Sequence, residues 1–427
     1  MSGDRALAIG IDVGTSGIRA VAVDRREHII AQSTAAMLDF GANARSPGTW
    51  RGALASVLAN MFSTIDAKRV CALAVDGTSG TMIPVDVSGE PLCDAMMYND
   101  AVLDKHILGV IAKFAPQESA ARGVTSGLAK AMALRATPGC ARILHQADWI
   151  AGILSGRFGQ SDENNALKTG YDPEARRWPD WIEAAGMDIG LLPDVQPPGT
   201  AFGPISDAAA QAFGLAAGTV MVAGTTDGCA SFLATGASNI GDGVSALGSS
   251  LTIKVLSPKP VFAPQFGIYS HRIGDKWLAG GASNSGGKAL AAHFSKDELI
   301  SLSRQIAAEP ATGLDYYPLP ADGERFPFAD PSMKPRLSPR PASDAEFLKG
   351  MFEGIAAIEA LGYQRLAELG SPALRSVRSV GGGAANDVWT KIRQRKLGVP
   401  FLPALSEDAA FGTARLALQG AIGARLL

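Results

Sequence analysis

An α/β protein built from two domains of comparable size is what the sequence predicts, and three observations carry that prediction. The chain has 427 residues, more than one hydrophobic core usually serves. Hydrophobic residues make up 47% of it and are spread along its length, enough for buried strands and helices in both halves. A pattern of strand, Gly/Thr/Ser turn and strand occurs near the start and again about half a chain later, which points to a duplicated domain.

Composition also narrows the partners. No run approaches the roughly 18 to 20 uninterrupted apolar residues that a membrane span needs. The opening MSGDRALAIG carries charge and enters a strand at once, unlike a secretory signal. With 39 basic and 41 acidic residues interspersed, the net charge of -2 gives no electrostatic footprint for nucleic acid. The expected ligand is a small molecule. Cys71, Cys93, Cys140 and Cys229 are widely spaced without a C-x-x-C pair, and the five histidines are scattered. Neither zinc nor a disulfide framework is expected, and a reducing cytoplasm is the expected compartment.

Taken in order, residues 6–11 and 18–23 read as strands flanking Gly14, Thr15, Ser16 and Gly17. Asp12 ends the first strand beside small residues whose amides and hydroxyls can face an anion. The stretch suits a phosphate-binding hairpin or a plain tight turn. EHIIAQSTAAML extends the sheet, and apolar steps of three and four predict a helix over 50–65. RVCALAVDGTSGTMIPVD repeats strand, turn and strand, with Asp76 at the strand end and Gly77, Thr78, Ser79 and Gly80 in the turn. Ligands of open α/β sheets bind beyond the carboxyl ends of strands, so Asp76 and Ser79 are candidate contacts, against the alternative of a structural hairpin.

Residues 126–158 read as one or two helices closed by LSGRFG. QSDENNALKTGYDP reads as a polar surface loop whose Asn164, Asn165 and Lys168 are ordinary surface residues or substrate contacts. The strand at 219–222 runs through GTTDG into a helix, which puts Asp227 at a helix N-terminus as a cap or as an acid facing a phosphate. In DGVSALGSSLTIKVLS the strands 244–247 and 251–255 flank Gly248, Ser249 and Ser250, as the opening strands flank Gly14, Thr15 and Ser16. The eight prolines in 309–342 predict a long irregular loop. An amphipathic helix resumes over 345–369, with Leu348, Phe352, Ile355, Ile358 and Leu361 expected in the core.

In VRSVGGGAANDVWTKIRQRKLGVPF a strand meets three glycines and a short helix, where Asn386 can hydrogen-bond a flat ligand and Trp389 can wall it. A dinucleotide fingerprint fails there because Asn386 stands at its third glycine. A phosphate-binding loop of the G-x-x-x-x-G-K-[ST] type is likewise excluded at ASNSGGKAL, where Ala282 and Ala289 replace the first glycine and the metal-binding hydroxyl. The last predicted helix, 406–427, is rich in small residues and suits close packing on another element.

In this order and spacing the motifs resemble the FGGY family of carbohydrate kinases, within the actin, Hsp70 and sugar-kinase superfamily. DVGTSGIR looks like the first phosphate motif, GTTDG like the catalytic loop, ALGSS like the second phosphate motif and GGGAANDVW like the adenosine motif. PLPADGERFPFADP, with Gly323, Glu324 and Arg325, looks like the G-E-R-x-P loop. Where family members acting on xylulose or sedoheptulose carry Gln-Met-His-Gly, this chain reads DGTSGTM, and their Trp-x-Asp-x-Arg is reduced to MMYNDA. That combination resembles a shorter, xylulose kinase-like subgroup of the family described as D-ribulose kinases, and it leaves Ser79 or the stretch Tyr98, Asn99, Asp100 to set sugar specificity.

The resemblance implies two actin-like (ribonuclease H-like) domains with a nucleotide and sugar cleft between them. A sugar-binding domain over 1–233, joined by the helix 406–427, and a nucleotide-binding domain over 234–405 would close by a hinge. It implies ATP and Mg²⁺ as cofactors, a small-molecule sugar as partner, and a monomer or homodimer. The expected reaction is transfer of the γ-phosphate to a ketopentose hydroxyl, best fitted by D-ribulose giving D-ribulose 5-phosphate, with xylulose or a pentitol as alternatives. Asp227 would be the general base and a substrate contact. Asp12 would hold Mg²⁺ and touch the sugar, with Ser79 beside it. Gly14, Thr15, Ser16 and Gly17 would grip phosphate on one side and Gly248, Ser249 and Ser250 on the other, while Gly382, Gly383, Asn386 and Trp389 would hold adenosine. A nucleotide-driven switch or a sugar-binding pseudokinase is the alternative of another class.

Overall fold

The computed structural model describes residues 6–426. The first five residues of the charged N-terminal stretch and Leu427 of the last predicted helix lie outside them. By contacts the described chain divides into two units. One holds the residues up to Ala234, His271–Gly274 and those from Asp408 onward; the other holds Thr235–Ser270 and Asp275–Glu407.

The first unit is built on six strands, β1 (Leu7–Val13), β2 (Gly17–Val23), β3 (Ile29–Ala36), β4 (Val70–Gly77), β5 (Ala201–Pro204) and β6 (Val220–Thr226). Their order is β3-β2-β1-β4-β6-β5. β1, β4 and β6 run parallel as neighbours, and β2, β3 and β5 are antiparallel to theirs. Both faces are covered, so β1 reads as an unbroken buried run rather than an alternating one.

On one face lie α1 (Pro47–Phe62), entered through Pro47 at its first position, and α3 (Gln146–Ser155), with α2 (Gly127–Leu134) earlier in the chain. Trp50 and Trp149 meet edge to face at 6.0 Å and are fully buried, each contributing more than the roughly 1.5 to 3 kcal/mol of a smaller apolar side chain. On the other face lie α4 (Asp227–Ala234) and α7 (Ala409–Gly423), the latter capped by Asp408, whose carboxylate accepts from the Ala410 amide. A Cβ on Gly10 of β1 would lie 2.1 Å from the Ala410 carbonyl, and one on Gly412 would lie 1.9 Å from that of Ala230. The small residues of α7 are therefore a packing requirement, since its backbone rides directly on β1 and α4.

The second unit carries β7 (Asp242–Leu247), β8 (Leu251–Ser257), β9 (Lys276–Ala282) and β10 (Ser376–Val380) in the order β9-β8-β7-β10, with β7 and β10 parallel. Against this sheet pack α5 (Asp344–Glu368) and α6 (Asp387–Leu397). Residues 309–342 form the irregular segment that their prolines predict, yet Tyr316, Tyr317, Leu319 and Phe326 are anchored in this unit's core. Leu361, expected in the core, is 38% exposed. Steps of three residues fall short of a full helical turn, so the stripe that starts at Leu348 has drifted to the far side of α5 by Leu361.

Three local expectations change. β1 extends past residue 11 to Val13 and takes in Asp12 as its penultimate residue. The segment after Asp76 is not a hairpin: residues Met82–Val85 pair with Arg142–His145, away from β4. Gly80, with φ of +87°, turns the chain out of the β4 direction. Residues 126–158 thus hold two helices with a strand between them, ended by Gly156 in the left-handed region as LSGRFG predicts.

Candidate active site

Three neighbouring parallel strands bring three carboxylates together. The register pairs Asp12 of β1 with Asp76 of β4, and Asp76 with Thr225 of β6. Asp227 follows two residues later as the first residue of α4. All three sit at the carboxyl ends of their strands, where open α/β sheets present ligands.

Burial governs their protonation. Asp12 is 6% exposed and Asp76 fully buried. Burial pushes the Asp12 carboxyl up to about 6, with the Asp227 charge adding to the effect and Arg19 opposing it. Asp76 is held well above the ordinary carboxylate range by burial and by the Asp12 charge, with the Thr413 hydroxyl opposing. Burial and the neighbouring Asp12 charge therefore favour the protonated form of Asp76. The Thr413 hydroxyl of α7 donates to Asp76 Oδ2, while Asp76 Oδ1 is buried without a partner. Asp227 is half-buried, and its Oδ1 accepts from the Gly228 amide at 2.6 Å. The Arg19 guanidinium, paired to Asp12 in register on β2, stands 3.6 Å from the Asp12 carboxylate.

Beside Asp12 the turn is closed by a hydrogen bond from the Gly14 amide to the Gly17 carbonyl at 3.0 Å. Thr15 and Ser16 are exposed at its tip. A Cβ on Gly17 would lie 2.7 Å from the Ala35 carbonyl, so the glycine lets β3 approach. Ser79 places a buried Oγ without a partner beyond β4. The Thr78 hydroxyl meets Thr81 Oγ1 at 2.6 Å and Gln146 Oε1 at 3.0 Å, which fixes this turn against α3.

The stretch expected as a polar surface loop is instead buried. Asp162, Glu163, Asn164 and Asn165 are at most 2% exposed. Asp162 caps a helical turn by accepting from the Asn164 and Asn165 amides. Asn164 Nδ2 donates to Thr225 Oγ1 and to the Arg272 carbonyl, both at 2.9 Å, and its Oδ1 accepts from the Arg272 amide. Asn165 Nδ2 donates to Asp162 Oδ2 at 2.6 Å and to the Thr225 carbonyl at 3.2 Å. These asparagines brace β6 just before Asp227. Lys168 is half-buried near Gly80.

In the second unit Gly248, Ser249 and Ser250 join β7 to β8, with Gly248 and Ser249 exposed. The amides of Gly287 and Lys288 donate to the carbonyls of Gly248 and Ser249 at 2.9 and 3.0 Å. Gly382 is exposed with open space around it, and Gly381 is held by its amide donating to Glu407 Oε2 at 2.9 Å. Two expected adenosine contacts change role. Trp389 is 3% exposed and stacked on Phe352 at 4.8 Å, so it supports the glycine turn from within the core and offers no face as a wall. Asn386 caps α6 by accepting from the Trp389 amide and donates to the Ser303 hydroxyl at 2.8 Å, so both ends of its amide are engaged. Glu324 of the G-E-R stretch is an internal brace, accepting from the Ser283 hydroxyl, the Asn284 amide and the Tyr317 hydroxyl.

Arg19, Thr413, Gln146 and Lys130 were not singled out in the sequence. Arg19 had a usable signal, seven residues after Asp12 across a four-residue turn, which antiparallel pairing sets opposite it. Thr413 had none, because its contact spans 337 positions. No helix among the described residues is long and apolar enough to cross a membrane. None of the four cysteines forms a disulfide among the described residues.

Residues 243–421 match the C-terminal domain of the FGGY family of carbohydrate kinases. An autoinducer-2 kinase of Yersinia pestis (strain Pestoides F) is 30% identical over 292 residues, which cover 63% of this chain and 55% of that protein. The chain thus spans about half the length of the curated relatives it matches. The fold is that of a xyloylose kinase from Brucella ovis, with a TM-score of 0.85 at 21% identity over 98% of this chain and 91% of that one. A ligand-bound xylulose kinase from Lactobacillus acidophilus gives 0.82 at 16% identity over 98% and 90%.

Proposed function

We propose that this chain, which carries an FGGY carbohydrate-kinase C-terminal domain on the fold of the sugar kinases, transfers the γ-phosphate of ATP to a hydroxyl of a small sugar. The observation that carries the reading is the gathering of Asp12, Asp76 and Asp227 at the ends of three adjacent parallel strands, beside an exposed Gly/Thr/Ser turn. Phosphoryl transfer needs an oriented hydroxyl, a group to take its proton and neutralisation of charge on the phosphates.

Asp227 is the base in this reading. It is half-buried at a helix start, with one oxygen accepting from the Gly228 amide, and would orient a hydroxyl and accept its proton late in the step. Asp76, whose protonated form burial favours, lies in register beside Asp12 and would hydrogen-bond a sugar oxygen or Asp12. Ser79 Oγ supplies a second polar contact. Each unit carries a turn whose amides and hydroxyls suit phosphate, residues 14–17 in the first and Gly248, Ser249 and Ser250 in the second, and Gly382, with open space around it, suits the flat base, whereas Gly383 is packed against Trp389 and Leu247.

The Asp12 carboxylate is a hard oxygen donor that suits Mg²⁺, and the neighbouring buried Asp76 Oδ1 has no partner to satisfy it. Among the described residues no three His, Cys, Asp or Glu side chains converge to hold a metal by themselves. That fits a cation held by Asp12 together with water and phosphate oxygens, where it would neutralise charge on the transferred group.

The acceptor best fitted is D-ribulose, on the DGTSGTM and MMYNDA stretches. The deciding experiment is ADP release with ATP and Mg²⁺ across D-ribulose, D-xylulose, ribitol, xylitol, glycerol and autoinducer-2, the last because a curated relative is named for it. Stimulation by one ketopentose at least tenfold above the sugar-free rate is expected. ADP release that no acceptor raises contradicts the reading.

A further inference from the structure

Lys130 of α2 is a fully buried lysine that the chemistry above leaves unused. Its Nζ donates to two backbone carbonyls from separate loops, Gly80 at 2.7 Å and Tyr98 at 3.1 Å. Gly80 directly follows Ser79, whose Oγ is buried without a partner. Tyr98 opens the Tyr98, Asn99, Asp100 stretch and is 46% exposed.

The same two loops are tied again around the lysine. Thr81 Oγ1 accepts from the Tyr98 amide at 3.0 Å, and Met82 and Met96 exchange backbone hydrogen bonds at 2.9 and 3.0 Å. Asp100 accepts from the Met97 amide and from both terminal nitrogens of Arg45. Arg45 and the Lys130 charge both hold the Asp100 carboxyl below the ordinary range, Arg45 foremost.

Burying an ammonium group costs several kcal/mol, and a methionine would fill the same space without that cost. Burial indeed pushes the Lys130 ammonium down to about 8, with Asp100 opposing and Lys168 adding. What a methionine cannot do is hold two carbonyls from loops that share no strand pairing at those positions. Buried polar groups of this kind are kept where a single arrangement matters more than stability.

We propose that Lys130 is a positioning residue of the acceptor site, clamping the Ser79 turn and the Tyr98 to Asp100 loop into one wall against which the sugar is oriented. The inference rests on the kinase reading above. It assigns specificity to a residue that touches no substrate. Because the wall binds ground state and transition state alike, its loss acts on acceptor KM more than on kcat.

The test uses the full chain with D-ribulose, D-xylulose and ATP. Lys130→Met is expected to raise acceptor KM about tenfold or more while kcat and the KM for ATP stay within about threefold. Thr81→Val removes the second tie between the same loops and is expected to act in the same direction even if the lysine variant folds poorly. In the double variant the two effects fall short of their product, because both act on one loop arrangement. Acceptor KM unchanged in both single variants, or raised together with the KM for ATP by the same factor, overturns the inference while leaving the kinase reading intact. A wild-type chain that phosphorylates no acceptor overturns the two together.

Discussion

The two glycine turns of this chain look alike in sequence and differ in what surrounds them. At Gly14, Thr15, Ser16 and Gly17 the preceding strand carries Asp12, its parallel neighbour carries Asp76, and the next strand leads to Asp227. At Gly248, Ser249 and Ser250 the residue equivalent to Asp12 is Ala246, and its parallel neighbour in register is Val380. The second unit does bury charge, but it neutralises it. Arg393 donates through Nε and Nη2 to the two oxygens of Glu359 at 2.6 and 2.8 Å and through Nη1 to Ser379, while Ser245 donates to the same carboxylate. One copy of the motif sets acids side by side with a buried oxygen left without a partner; beside the other, the buried Glu359 is paired with Arg393.

That difference teaches where each unit's free energy goes. A buried ion pair with all its hydrogen bonds made is a structural brace. Like carboxylates with an orphaned oxygen destabilise the fold, and such groups persist where a ligand uses them.

Breaking the brace is the largest expected stability effect. Glu359→Ala leaves the Arg393 guanidinium buried without its partner and is expected to destabilise the chain by about 3 to 5 kcal/mol, read as a lowered denaturation midpoint. Glu359→Gln combined with Arg393→Met removes both charges and should cost clearly less. Equal losses in the two variants contradict the role of a paired charge.

The opposite sign is expected in the first unit. With the Asp12 carboxyl lifted from 3.8 to about 6 by burial, keeping it ionised costs about 3 kcal/mol at about 1.4 kcal/mol per pH unit. The native state binds the extra proton between pH 4 and pH 6, so stability falls as pH rises through that window and stays low above it. Asp12→Asn is therefore expected to raise the melting temperature at pH 7 to 8, to lose that advantage as pH falls through 6, and to have none near pH 4. The same variant should lose phosphoryl transfer. A thermal melt series across pH checks the first claim, and a variant no more stable than wild type at pH 8 contradicts it.

The smallest effects sharpen the comparison. Thr15 and Ser249 are exposed hydroxyls on the two turns. If both turns grip phosphate, Thr15→Ala and Ser249→Ala each raise the KM for ATP about fivefold, the value of one hydrogen bond, with melting temperatures unmoved. An effect at Thr15 alone would reduce the second turn to a structural echo.

Much of this was legible in the residues. The opening hairpin, the helix-starting Asp227 and the second turn follow from local apolar runs and small turn residues, which declare themselves within a dozen positions. Other parts depend on distant partners. Asn164 and Asn165 read as surface because nothing nearby shows that their amide groups will donate to the hydroxyl and carbonyl of Thr225. Trp389 read as a ligand wall because its stacking partner, Phe352, lies on another helix. Gly287 and Lys288, excluded as part of a phosphate loop of their own, support the second turn through a contact formed only in the folded unit.

The most direct test of the central claim, that the acids at the ends of three parallel strands perform sugar phosphorylation, is single-turnover transfer of the γ-phosphate to the best acceptor by wild type and Asp227→Asn, with ATP affinity measured on the same samples. The account predicts transfer slowed about 10²- to 10⁴-fold with ATP affinity within a few fold. Transfer by Asp227→Asn at the wild-type rate would contradict it.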